Sequence, residues 1–226
     1  MKRLRLLLEY DGTDFAGWAR QPDCRTVEAA LREALDRVFP AWQELAVAGR
    51  TDAGVHASGQ VVSVEVEGGP PAEHVAEALN RKLPPDAAVR ESSAAEETFN
   101  ARFSAVARAY RYRIANTRAR PALDRRALWY PQPIDVRKLE TAGAAIVGHH
   151  DFRAFTPTET EHDAFDRTVH AAGWSGAPGG FLEFAIVADS FLRHMVRALV
   201  GTMLQHEPAQ VVELLKGATR EQAGRT

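Results

Sequence analysis

One cysteine, Cys24, stands among the 226 residues, which excludes an intramolecular disulfide framework and any multi-cysteine zinc site. Lysine is nearly as scarce: Lys2, Lys82, Lys138 and Lys216 are the only four among 28 basic side chains. Long apolar runs are missing too, since none approaches the roughly 20 residues a spanning helix needs. The basic start Met1-Lys2-Arg3-Leu4-Arg5 is followed at once by Glu9 and Asp11, so no signal-peptide core develops. Net charge is almost absent, with 30 acidic side chains leaving −2. What remains is 45% hydrophobic and 26% charged, a balance that excludes disorder as the main state. The length fits one large domain or two small ones. A cytoplasmic protein without a membrane span is expected.

The small net charge argues against a polyanionic partner only until the charges are located. Between Arg102 and Arg126 lie eight arginines (Arg102, Arg108, Arg111, Arg113, Arg118, Arg120, Arg125 and Arg126), opposed by Asp124 alone. That window carries +7 and the rest of the chain −9. Arginine offers a planar fork matched to phosphate and stacks on aromatic faces. A general replacement of lysine by arginine accounts for the overall bias but not for the missing acids in one segment. RNA or another polyanion is therefore the preferred partner.

Leu4, Leu6 and Leu8 alternate with Arg5 and Leu7 as a mostly buried strand ending at Tyr10-Asp11-Gly12. Thr26 is a good N-cap, and Val27, Leu31, Leu35 and Val38 then recur at helical spacing. Leu45 to Ala48 reads as a short strand. Val62, Val64 and Val66 alternate with polar residues as a half-exposed one. Pro70-Pro71 opens a second helix with Val75, Ala78, Leu79 and Leu83 inward, and Ala87 to Ala95 supplies a fourth strand. In the second half, Tyr110, Tyr112 and Ile114 mark a strand that Leu128 to Tyr130 extends as part of a sheet. Asp135 caps a helix through Leu139 and Ile146. Thr168–Ser175 and Phe181–Ala188 flank a Gly176–Gly180 turn, Ser190 caps a helix carrying Leu192 to Met203, and Pro208–Leu215 forms another. The order β-α-β-β-α-β is thus followed by β-α-β-β-α without a closing strand. This predicts an α+β protein of two ferredoxin-like, split βαβ halves, residues 1–103 and 104–226.

Nine residues stand out chemically: Gly49-Arg50-Thr51-Asp52-Ala53-Gly54-Val55-His56-Ala57. They join two predicted strands by a connection longer than a usual hairpin loop. It holds a cation, a carboxylate, an imidazole and two glycines. On composition alone the stronger reading is an ordinary turn that Asp52 begins, with Gly54 at its left-handed position. His149-His150-Asp151 reads as a surface turn, not a metal cluster, because adjacent histidines point apart. Trp18 and His194 read as packing or structural residues, and Glu159–Asp166 as a solvated acidic loop.

The stretch Gly49–Ala57 resembles the signature of the TruA family of tRNA pseudouridine synthases. Tyr10-Asp11-Gly12 with Gly17-Trp18 and Arg20-Gln21 resembles the family's first strand and loop. Phe99-Asn100-Ala101-Arg102-Phe103-Ser104 with Arg108-Ala109-Tyr110-Arg111-Tyr112 resembles its central segment. Arg167-Thr168-Val169 and Phe191-Leu192-Arg193-His194-Met195-Val196-Arg197 complete the set in the expected order. Ala19 departs from the family by standing where glutamine is common. Relatives also continue past residue 226 with a strand that completes the second sheet, so a truncated or partial chain is expected.

The resemblance implies isomerisation of uridine to pseudouridine at tRNA positions 38, 39 and 40, without cofactor or metal. It places the nucleophile on Asp52, acting by attack on C1′ or C6 or by abstracting a proton at C2′. It further implies that Arg50 fills the space a flipped uridine vacates, that Tyr110 packs on the flipped base, and that Arg197 pairs with the catalytic carboxylate. A stem uridine has to be flipped to be reached, at a cost of a few kcal/mol. His56 is expected to fix loop shape or touch RNA, and Tyr112 to pack in the sheet. Arg102, Arg108, Arg111 and Arg113 are candidate contacts to the RNA backbone. The family also implies a homodimer binding tRNA across both subunits, and halves whose strands join into one extended antiparallel sheet with helices on one side and the site in the cleft between them. A non-catalytic RNA-binding protein, or a pseudouridine synthase for another RNA, are the alternatives.

Overall fold

A computed structural model describes residues 1–159, 163–218 and 220–222. The described chain is α+β, with two sheets and five α-helices. It divides into two units, residues 1–106 and 107–226. Among the described residues no helix is long and apolar enough to cross a membrane.

The first unit follows directly from strand alternation. Strand β1 (Lys2–Tyr10) buries Leu4, Leu6, Leu8 and Tyr10 on one face, as a two-residue period requires. Helix α1 (Val27–Val38) starts where Thr26 accepts the Ala29 N–H. Strand β2 (Ala41–Val47) starts earlier than the apolar pattern predicts, because polar Gln43 and Glu44 occupy its exposed part. Strand β3 (Ala57–Glu67), helix α2 (Val75–Asn80) and strand β4 (Ala87–Ala94) follow. The sheet order is β2-β3-β1-β4, with every neighbouring pair antiparallel. Val62, Val64, Val66, Val75, Leu79, Leu31 and Leu35 close the core over β1. Each such side chain contributes about 1.5–3 kcal/mol on full burial.

The second unit begins with strand β5 (Arg108–Ala115), which is flanked by the two-residue strand β6 (Leu128–Trp129). Helix α3 (Val136–Ala145) is capped by Asp135, which accepts the Arg137 and Lys138 amides. Strands β7 (Gly148–Asp151), β8 (Asp166–Gly176) and β9 (Phe181–Ala188) precede helices α4 (Met195–Gln205) and α5 (Pro208–Leu214). The sheet order is β6-β5-β9-β8-β7, and β6 alone runs parallel to its neighbour. Phe152, Phe155, Phe184, Ile114, Ile146 and Leu199 anchor its core.

Among the described residues the strands hydrogen-bond as a four-stranded sheet in the first unit and a five-stranded sheet in the second. Leu128–Trp129 extends the second sheet as expected, pairing with Ile114 and Ala115 of β5. His149-His150-Asp151 is not a turn: it is edge strand β7, paired with Arg167, Thr168 and Asp166 of β8. Ser190 does not cap α4. Its amide is taken by Asp189 Oδ1, and the helix starts only after His194, which sits at φ 61°. Of the acidic run Glu159–Asp166, residues 160–162 lie outside the described residues, and Asp166 begins β8.

Candidate active site

The β2–β3 connection, residues 48–56, is held against a second irregular segment, residues 11–18. Glycine makes the approach possible. A Cβ on Gly12 would lie 2.1 Å from the Val55 carbonyl oxygen, and one on Gly17 would lie 2.8 Å from the Thr51 carbonyl oxygen. Gly17 also sits at φ +93°, which few side chains tolerate. Backbone bonds close the contact. Trp18 N–H donates to Thr51 O at 2.9 Å, and Gly54 N–H donates to Phe15 O at 3.2 Å. Gly12 N–H donates to His56 Nδ1 at 3.1 Å, and that nitrogen lies 2.9 Å from Asp11 Oδ1. His56 therefore shapes the loop, as one of its two expected roles.

The supporting segment is itself tied down. Val27 N–H and Glu28 N–H donate to the carbonyls of Gly17 and Trp18, joining it to the start of α1. Trp18 and Phe15 are buried, in keeping with packing roles. The Arg25 guanidinium lies 3.9 Å from the Phe15 ring centroid and grips Asp86 with both nitrogens at 2.8 and 2.7 Å. That grip holds the Asp86 carboxyl below its ordinary range.

Within this frame Asp52 is half-buried, and its carbonyl accepts the Val55 N–H at 3.2 Å, closing a turn that Gly54 completes at φ +77°. Arg50 is exposed. Behind both runs a chain of polar groups that the sequence reading overlooked. Gln60 Nε2 donates to Gly49 O at 2.6 Å and to the Tyr10 hydroxyl at 3.3 Å, and Tyr10 bonds Thr51 Oγ1 at 2.8 Å. The signal was present in the periodicity. Tyr10 continues the inward set Leu4, Leu6, Leu8, and Gln60 the inward set Val62, Val64, Val66, so each puts a polar group on a buried face.

In the second unit the expected residues ride on regular elements. Tyr110 and Tyr112 share a face of β5 and pack on the core. Tyr110 meets Phe191 edge-on, with ring centroids 4.8 Å apart. Burial pushes the Tyr112 hydroxyl up, and the positive charge of Arg197 on α4 partly opposes this. Arg197 and the tyrosine face of β5 are therefore neighbours, with the Arg197 side chain exposed. Asp189 joins the elements that carry them: its carboxylate accepts the Thr168 and Ser190 amides, and its carbonyl accepts Arg108 Nη1 at 2.7 Å. Arg167 lies between Asp189 and Asp166, and desolvation lowers its pKa.

The four arginines proposed for the RNA backbone differ in their surroundings. Arg113 is committed within the chain, forked onto Asp124 at 2.8 and 3.2 Å with its guanidinium 5.0 Å from the Phe181 ring centroid. Arg108 is bonded to Asp189, and Arg111 approaches Glu183 at 3.9 Å. Arg102 is exposed in the turn that Asn100 builds by accepting the amides of Arg102 and Phe103. Among the described residues no group of three or more His, Cys, Asp or Glu side chains could hold a metal ion.

A family model described as tRNA pseudouridine synthase matches residues 7–104 and 142–226. The chain is 38% identical over 232 residues to tRNA pseudouridine synthase A of Myxococcus xanthus, covering all of this chain and 88% of that protein. It is 39% identical over 233 residues to the protein of that name from Paramagnetospirillum magneticum, covering 100% and 91% of the two chains. For the protein of that name from Moorella thermoacetica the identity is 39% over 234 residues, covering 100% and 95%.

Proposed function

The chain belongs to the tRNA pseudouridine synthase family, and from that premise we propose that its target uridines are those at positions 38, 39 and 40 of the anticodon stem-loop. The reaction is an isomerisation of uridine in tRNA. The bond from C1′ to N1 breaks, the uracil turns, and C1′ rejoins at C5. The proton on C5 leaves to solvent and N1 takes one up, so atoms balance without a co-reactant.

Asp52 is the catalytic carboxylate of this reading. The observation that carries it is the pinned loop: a half-buried aspartate on a turn braced by Gly12, Gly17 and Trp18, beside exposed Arg50. Such bracing is what a group must have to meet one ribose in one geometry. Arg50, solvent-facing and two residues before Asp52, fills the stem when the uridine flips out. Tyr110, fixed by Phe191 and the sheet, packs on the flipped base, and such stacking is worth roughly 1–3 kcal/mol. On the family resemblance alone, Arg197 is assigned to orient the catalytic carboxylate. Arg102 and Arg111, more exposed than Arg108 and Arg113, are the better candidates for the RNA backbone.

We read each unit as a ferredoxin-like fold. The order β2-β3-β1-β4 with α1 and α2 as crossovers supports this in the first unit, and β8-β9-β5 with α3 supports it in the second. On the same family grounds the protein acts as a cytoplasmic homodimer. The test is chemical. Purified protein given tRNA tritiated at uridine C5 is expected to release tritium, and tRNA from cells lacking the protein to lose pseudouridine at positions 38–40. Intact modification there, with release from other sites, would overturn the positional assignment.

A further inference from the structure

We propose that Tyr10, Gln60 and Thr51 are positioning residues for Asp52, forming a buried polar brace that fixes the loop backbone on both sides of Arg50. The inference rests on the assignment of Asp52 above.

Hydrogen counting gives the brace a direction. The Gly49 carbonyl can only accept, so Gln60 Nε2 spends one hydrogen on it at 2.6 Å. The amide nitrogen can likewise only donate to the Tyr10 oxygen, which spends the second hydrogen. The Tyr10 hydrogen is then left to go to Thr51 Oγ1, 2.8 Å away. Gly49 is thus held through its carbonyl and Thr51 through its side chain, while the Thr51 carbonyl is held from the other side by Trp18 N–H. Only Arg50 lies between these two fixed residues, and Asp52 is the next residue on.

The brace lies where it resists competition from water. Tyr10 is 2% exposed and Gln60 9%. Burial raises the Tyr10 pKa above 10.0, so its hydroxyl keeps its proton across the neutral range. The two residues enter from neighbouring strands: Leu8 pairs with Gln60 and Tyr10 with Ala57 in the β1–β3 ladder. Their places are set by the sheet, tied to each other by one hydrogen bond and passed to the loop through two more.

The experiment uses full-length protein and tRNA tritiated at uridine C5, in single turnover with saturating enzyme. Tyr10→Phe and Thr51→Val each keep the shape of the side chain and remove the bond. Each is expected to slow release by roughly tenfold or more, because small misplacements of a reacting group are costly. The Kd for tRNA is expected to stay within about twofold and the melting temperature near wild type, as for a lost orientation and not a lost contact. Thr51→Ser restores the hydroxyl and is expected to recover most of the rate. The double variant Tyr10→Phe with Thr51→Val is expected to be no slower than Tyr10→Phe alone, since Thr51→Val removes only a bond that Tyr10→Phe already removes. Wild-type rates for Tyr10→Phe and Thr51→Val, failure of Thr51→Ser to recover, or effects confined to Kd would overturn the brace. Asp52→Asn run in parallel separates the two claims: a dead Asp52→Asn with normal brace variants sinks only the brace, whereas an active Asp52→Asn sinks the assignment beneath it.

Discussion

In the first unit, Arg50 and Asp52 sit on an irregular connection between β2 and β3, held by glycine contacts, backbone bonds to residues 15 and 18, and the buried Tyr10–Gln60 pair. In the second, Tyr110 and Arg197 sit on strand β5 and helix α4, over a core that holds those elements whatever the tip residue is. The same chain therefore uses two ways of placing a side chain. A loop needs its own polar and steric scaffold, because it has no ladder to satisfy its amides. A residue on a strand inherits its place from the sheet. The first arrangement is sensitive to single atoms behind the loop, while the second fails only when the contact residue itself is changed.

That difference orders the expected effects. Gly12→Ala puts a methyl into the Val55 carbonyl; overpacking of this kind costs about 1–3 kcal/mol or more, and turnover is expected to fall on the order of a hundredfold as the loop moves. Denaturant melts and single-turnover release check both. Gly54→Ala is the matched control in the same loop: its Cβ would meet open space, leaving only the strain of φ +77°, about 1–2 kcal/mol. Comparable losses for the two would break the contrast between a contact glycine and a turn glycine. Tyr110→Ala, in the second unit, is expected to lose roughly 1–3 kcal/mol of transition-state stabilisation with the fold kept, read as kcat/KM on intact tRNA.

How much of this was legible in the sequence depended on whether the signal was local. Alternation gave β1, β3, β5 and β9, and Thr26 and Asp135 marked true helix starts. Ser190 misled because the chain does not enter a helix there: α4 starts only at Met195, after the left-handed turn at His194. His149-His150-Asp151 looked like a turn because β7 is a polar edge strand, stabilised by pairing with β8 that no local pattern reveals. The loop 49–57 was conspicuous for its reactive side chains, but the groups that hold it lie on β1 and β3, some 40 to 50 residues apart in the chain. Charge counting marked the arginine window and could not tell that Arg113 was already engaged by Asp124.

Smaller effects sharpen the picture. Arg50→Gln is expected to reduce the slope of log K against log salt by somewhat under one unit, if that charge meets a phosphate. Arg113→Gln is expected to leave the slope unchanged, because its fork is filled from within. Equal slopes for the two variants would remove the distinction. Smallest of all is Asp86→Asn, which frees Arg25 behind the loop. The bond to Arg25 lowers the Asp86 pKa below 3.8, so its contribution is present above the ordinary carboxylate range and erodes as pH falls through the lowered value. Both partners are partly exposed, so less than about 1 kcal/mol is expected, visible as a flatter acid limb in melts of the variant.

The central proposal is that Asp52, on the braced loop of the first unit, is the catalytic carboxylate. Asp52→Asn tests it most directly, because it changes one oxygen to nitrogen, removes the charge and keeps the size of the side chain. With tRNA tritiated at uridine C5, release is expected to vanish while the Kd for tRNA stays near wild type. Release at the wild-type rate would contradict the account.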